Sequence, residues 1–132
     1  MHLIIGGKYM GKLQYALSLY GADSPVYDLA LAPFGDMKAF SSSRIIINLQ
    51  EGIRSLLASE TPVKAFFETH FEVLADKTLV GDEIGSGIVP LDPFERLWRD
   101  QTGLVYQYLA RHAEVVDRVW AGIPTRLKGE PD

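Results

Sequence analysis

A short apolar run, Leu3, Ile4 and Ile5, breaks into Gly6-Gly7-Lys8-Tyr9-Met10-Gly11-Lys12, and residues 13–20 then carry a helical pattern without internal glycine or proline. The run predicts a strand buried on both faces, which turns at glycines straight into a helix. Gly6, Gly11 and Lys12 fall at the spacing of the phosphate-loop pattern, matching all but its last position. Glycines let successive backbone N–H groups turn inward around phosphate oxygens, and the helix N-terminus adds a favourable dipole. Lys12 would supply a point charge to the outer phosphates. The pattern then asks for Ser or Thr to hold Mg²⁺, and the residue here is Leu13, which cannot ligate a hard cation. The expected nucleotide site is therefore Gly6, Gly7, Lys8, Tyr9, Met10, Gly11, Lys12 and Leu13, for GTP or ATP, with Mg²⁺ doubtful. Glycine-rich turns of this kind also occur in α/β proteins with no phosphate nearby.

Further along, Val26 to Leu31 reads as a second strand interrupted by Asp28, and residues 37–43 as a short polar connection of open form. Arg44-Ile45-Ile46-Ile47-Asn48-Leu49 is the clearest strand, β-branched and continuous, as a central strand would be. Residues 50–59 have helical spacing, and Thr61-Pro62 can open a helix through Phe66, Phe67 and His70. Lys77 to Val80 is another buried strand, ending in the glycine-rich segment 81–87. Asp92 and Pro93 suit the cap and first turn of the longest helix, with Leu97, Leu104, Tyr108 and Leu109 along one side. Val115 to Trp120 closes the series as a strand, and the polar residues beyond Pro124 are expected to fray.

Strands alternating with helices predict one α/β domain over residues 1–132, a mostly parallel sheet with helices on both faces. Ligands of such sheets bind beyond the carboxyl ends of the strands. Three polar or glycine-rich segments fall there: 6–12, 48–51 and 82–87. A net charge of −4 argues against nucleic acid or an anionic membrane as partner. The absence of cysteine excludes disulfides, thiolate metal sites and cysteine nucleophiles. No apolar run approaches the roughly 20 residues that span a bilayer, and Lys8 and Lys12 interrupt the first apolar segment against a signal peptide. A cytoplasmic protein is expected.

GDEIGSGIVP at 81–90, then FERLWRDQTGLVYQYLA and VWAGIPTRLKG, closely resemble the C-terminal half of the adenosylcobinamide kinase/adenosylcobinamide-phosphate guanylyltransferase family of cobalamin biosynthesis. GGKYMGKL at 6–13 stands where that family has its phosphate loop; the stretch from about Asp28 to Asp76 matches poorly. The resemblance implies a RecA-like P-loop fold, often a trimer. It also implies transferase chemistry: phosphorylation of a corrinoid hydroxyl by ATP or GTP, then nucleotidyl transfer of GMP to that phosphate. It matches Glu83 to the family's glutamate and Asp82 to its asparagine; with Lys12 of the phosphate loop, Glu83, at a strand's carboxyl end, is expected to be catalytic. The resemblance also brings Arg126 or Lys128 near the nucleotide.

Three departures accompany it. Leu13 replaces the loop hydroxyl. Asn48 stands where the family has an aspartate at the end of its central strand, so that Asn48 and Asp82 mark at most a weak metal site. The family histidine that becomes guanylylated is missing from residues 34–43; the histidines are His2, His70 and His112. Three readings follow: a corrinoid kinase or nucleotidyltransferase, a nucleotide-binding or assembly subunit without catalysis, and a scaffold with an empty loop.

Overall fold

The computed structural model describes residues 1–85 and 88–130. Ser86 and Gly87, part of the third segment expected at the strand ends, lie outside the described residues, as do Pro131 and Asp132. In chain order the elements are β1 (His2–Gly6), α1 (Lys12–Tyr20), β2 (Val26–Asp28), α2 (Met37–Ser42), β3 (Ile45–Ile47) and α3 (Leu49–Ala58). There follow α4 (Val63–Thr69), α5 (Phe71–Leu74), β4 (Thr78–Asp82), α6 (Pro93–His112), β5 (Val115–Trp120) and β6 (Ile123–Lys128). The sheet order is β2-β3-β4-β1-β5-β6. All pairings are parallel except β5 with β6. This is the expected α/β fold, with the loop strand β1 at its centre between β4 and β5.

Strand parity distributes the core to two faces. Leu3, Ile46, Leu79 and Val116 join one large cluster with Phe40 of α2, Ile53 and Leu56 of α3, Phe67 of α4 and Leu109 of α6. Ile4, Ile45, Val80 and Val119 point the other way, onto Ala16 of α1 with Leu13 and Leu17 beside it. Helices thus cover both faces, the second by α1.

Several boundaries differ from the expected ones for local reasons. The second strand ends at Asp28, whose carboxylate accepts the Ala30 N–H at 2.9 Å and turns the chain. Residues 37–42 form a helix, capped by the Asp36 side chain on the Ala39 N–H at 3.0 Å. The Arg44–Leu49 run is a strand only through Ile47; it is an interior strand, whereas the centre belongs to β4 and β1. The Thr61-Pro62 helix breaks at His70 into α4 and α5. Asp92 caps α6 as expected, accepting from the Phe94 and Glu95 amides. Its buried side, however, runs through Thr102, Val105 and Leu109, while Leu97 and Leu104 are exposed.

The tail expected to fray is instead the edge strand β6. Ala121 and Gly122, both at positive φ, make the two-residue turn of a hairpin. Pro124 is tolerated there because an edge strand leaves some N–H groups unpaired. Lys128 then donates to the last carbonyls of α6, Ala110 and Arg111, at 3.0 and 2.9 Å.

Candidate phosphate-binding site

At the carboxyl ends of β1, β3 and β4 an open cavity of about 490 Å³ is lined by Tyr9, Met10, Gly11, Lys12, Leu13, Gln14, Asn48, Val80 and Asp82. Residues from all three segments expected to converge line it, the third through Asp82. Gly6 has no room for a side chain, because a Cβ would strike the Val119 carbonyl of β5. Gly11 adopts φ 91°, a left-handed conformation that favours glycine, and hands the chain to α1. Tyr9 is also left-handed (φ 62°) and 91% exposed, so it lies at the open rim of the cavity and does not plug it. Leu13 packs partly against the α1 core rather than filling the space.

Most of the loop's amides are uncommitted. Residues 8 and 9 form a turn that closes from the Gly7 carbonyl to the Met10 N–H, and among the described residues no other hydrogen bond takes up the N–H groups of residues 8–14. Its carbonyl side, by contrast, is braced by the β5–β6 hairpin. Gly122 N–H donates to Met10 O at 2.8 Å and Ala121 N–H to Met10 Sδ at 3.2 Å. A run of free amides at a helix N-terminus is what an anion requires.

Lys12, only 8% exposed, sends its Nζ to the Gly7 carbonyl (2.7 Å) and to Asp82 Oδ1 (2.8 Å). Asp82 is level with Gly6 in the register, on the face of Val80. Its backbone is pinned from both sides. The N–H donates to Gln50 Oε1 at 2.9 Å, and the carbonyl accepts the Tyr106 hydroxyl at 2.7 Å. Burial, with Asp82 and Glu83 adding to it, pushes the Tyr106 hydroxyl well above its ordinary value, so it stays a donor. Trp98 supports the same corner, donating Nε1–H to the Gln50 carbonyl at 2.7 Å. The aromatic residues of α6 are therefore packed supports of the strand ends. Gly81→Ala would drive a Cβ into the Tyr106 hydroxyl and against Leu49. It is expected to cost about 1–3 kcal/mol through overpacking, read as a lowered denaturation midpoint.

Glu83, expected beside Lys12, does not join it. One residue further on, it faces the other way and its carboxylate grips Arg118 of β5 at 2.7 and 3.0 Å. Asn48 does line the cavity. It is left-handed (φ 58°, ψ 45°), links β3 directly to α3, and donates from Nδ2 to Asp28 Oδ1 at 2.8 Å. Its Oδ1 accepts from Gln50 at 3.3 Å. With leucine at the hydroxyl position, an amide on β3 and Asp82 paired to Lys12, these residues do not fit a Mg²⁺ site. Among the described residues no cluster of three metal-ligating side chains exists.

None of the three histidines lines the cavity. His70 Nδ1 lies 2.9 Å from the Phe66 carbonyl, and His112 packs on Tyr108 and Phe71. His2 belongs to a network that sequence reading missed, on the α1 face of the sheet. Its Nε2 lies 2.6 Å from Asp117 Oδ2 and its Nδ1 2.7 Å from the Tyr20 hydroxyl. Asp117, 1% exposed, also accepts from the Tyr15 hydroxyl at 2.7 Å and Arg126 Nε at 2.6 Å. Arg126 thus turns to Asp117, and Lys128 to the end of α6, instead of approaching the loop. Burial pushes the Asp117 carboxyl up, but Arg126, Tyr15 and His2 outweigh it and hold the group below its ordinary value. Among the described residues, no helix is long and apolar enough to cross a membrane.

The chain is similar to the bifunctional adenosylcobalamin biosynthesis protein CobP of Pseudomonas aeruginosa, with 43% identity over 53 residues, 40% of this chain. That stretch spans 31% of the relative's length. The profile of the family described as cobinamide kinase / cobinamide phosphate guanyltransferase matches residues 43–127, from just before β3 into β6. It takes in Asn48, Asp82 and Glu83 and does not reach the glycine loop of residues 6–13. More than half of the sequence lies within that match, including β3 and β4 of the cavity wall, and the chain accordingly belongs to the cobinamide kinase / cobinamide phosphate guanyltransferase family.

Proposed function

We propose that this chain binds the triphosphate of GTP or ATP on the loop of residues 6–13, in the service of corrinoid phosphorylation. The observation that carries this reading is the run of amides at residues 8–14, free apart from Met10, beside Lys12. Phosphoryl transfer depends chiefly on positioning and on neutralising charge at the transferred group. The amides and Lys12 supply both, with the corrinoid hydroxyl as acceptor. Guanylyl transfer through a histidine of this chain is not part of the proposal, because His2, His70 and His112 are all engaged away from the cavity. The chain acts as a homo-oligomer, a trimer by family resemblance. Ile88 and Leu91, both more than nine-tenths exposed, support such assembly.

Leu13 and Asn48 favour a second reading, a nucleotide-binding or assembly subunit that performs no catalysis of its own. Calorimetric titration with GTP and ATP, with and without Mg²⁺, tests both. Binding that does not need Mg²⁺ is the result expected of either reading, and turnover of a corrinoid substrate separates them. Binding strictly dependent on Mg²⁺ would contradict the description of the site. Leu13→Ser restores the hydroxyl and is expected to tighten Mg²⁺–GTP binding about two- to tenfold, the worth of one added polar ligand. An unchanged affinity would show that the metal geometry is lost elsewhere as well, at Asn48 or at Asp82 paired to Lys12.

A further inference from the structure

Lys12 is not held ready with a free charge. It is folded back over its own loop onto the Gly7 carbonyl, and its charge is met by Asp82 at 2.8 Å, with side chains 8% and 17% exposed. The carboxylate is aimed, since Gln50 and Tyr106 fix the Asp82 backbone on both sides. Water screens such a half-enclosed pair less than a surface pair, so both its attraction and its repulsion of other anions are stronger.

We infer that Asp82 is a built-in counterion, occupying Lys12 in place of a phosphate and so setting both the affinity of the loop and its preference for polyphosphates. The inference rests on the nucleotide reading above. A single phosphate can reach the free amides of residues 8–14, but it meets a lysine already neutralised and a carboxylate that repels it. A triphosphate has the length and charge to hold the amides and to draw Lys12 from Asp82 at the same time. Asp82 therefore acts through Lys12 as a positioning residue and does not touch the reacting atoms.

The test is titration of inorganic tripolyphosphate, orthophosphate and metal-free GTP into the wild type, Asp82→Asn, and the Lys12→Ala/Asp82→Asn double variant. Asp82→Asn keeps the shape and removes the charge. It is expected to bind tripolyphosphate about tenfold more tightly, the scale of a partly screened charge pair, and to melt lower than the wild type without ligand. Orthophosphate is expected to gain the most relative to its wild-type affinity, and the double variant to lose the gain. A purely structural aspartate would lower stability without raising affinity. If the wild type binds and Asp82→Asn binds equally or less tightly, the counterion role is overturned while nucleotide binding stands. If no protein binds any of the three, both fall. A second measurement needs no variant fold. In ¹⁵N-lysine-labelled wild type, the Lys12 ammonium resonance should shift when tripolyphosphate binds, and binding without that shift would overturn the inference.

Discussion

Asp117→Ala is expected to cost about 3–5 kcal/mol, because removing one partner of a buried pair leaves the others uncompensated. Three donors converge on this carboxylate from β1, α1 and β6, namely His2, Tyr15 and Arg126. Deleting it therefore unties the loop strand from α1 and releases the edge strand whose hairpin braces Met10. For a chain of this size the melting temperature should fall by about 10 °C or more. A loss of only about 1 kcal/mol, the scale of a surface pair, would contradict the network's role. The pH dependence has a definite sign. The folded-state value of Asp117 lies below its ordinary one. Its contribution is thus fully present above the unfolded value near ~4 and is lost as pH falls through the lower folded value. Acid titration of stability should show this loss in the wild type and not in Asp117→Ala.

Lys12→Ala should weaken GTP and ATP binding roughly 10- to 100-fold, the equivalent of losing a charge-assisted hydrogen bond to phosphate. Two effects act in the same direction. The cation is gone, and Asp82, no longer paired, adds an uncompensated negative charge at 17% exposure inside the cavity. Circular dichroism should show the helices retained, since Lys12 contributes to neither apolar cluster. Titration calorimetry reads the affinity, and an unaltered value would remove Lys12 from the site.

Much of the fold was legible because it is written locally. The apolar run at Leu3–Ile5, the glycines that follow it and the Asp92-Pro93 cap each act through their immediate neighbours. The edge strand β6 was missed for a reason also present locally. Trp120-Ala121-Gly122-Ile123 is a two-residue hairpin signal, but Pro124 and the charges after it carry the composition of a polar tail. At the site, strand parity could have separated Asp82 from Glu83. Val80 and Asp82 share the α1 face of β4, so the next residue must turn away, and it meets Arg118. Glu83 matches the family's glutamate and stands at the strand end, but that parity turns it away from Lys12. The Asp117 network carried no sequence signal at all, since its partners His2 and Asp117 are 115 residues apart. Only the parallel register of β1 with β5 brings them level.

Nucleotide binding by this chain requires that the amides of residues 8–14 hold phosphate. A crystal structure with a non-hydrolysable GTP analogue, grown without Mg²⁺, answers this most directly. The expected result is density for the phosphate chain against those amides, with Lys12 Nζ moved from Asp82 onto a phosphate oxygen. An analogue bound elsewhere, or a loop that stays empty at saturating concentration with Lys12 still on Asp82, would contradict it.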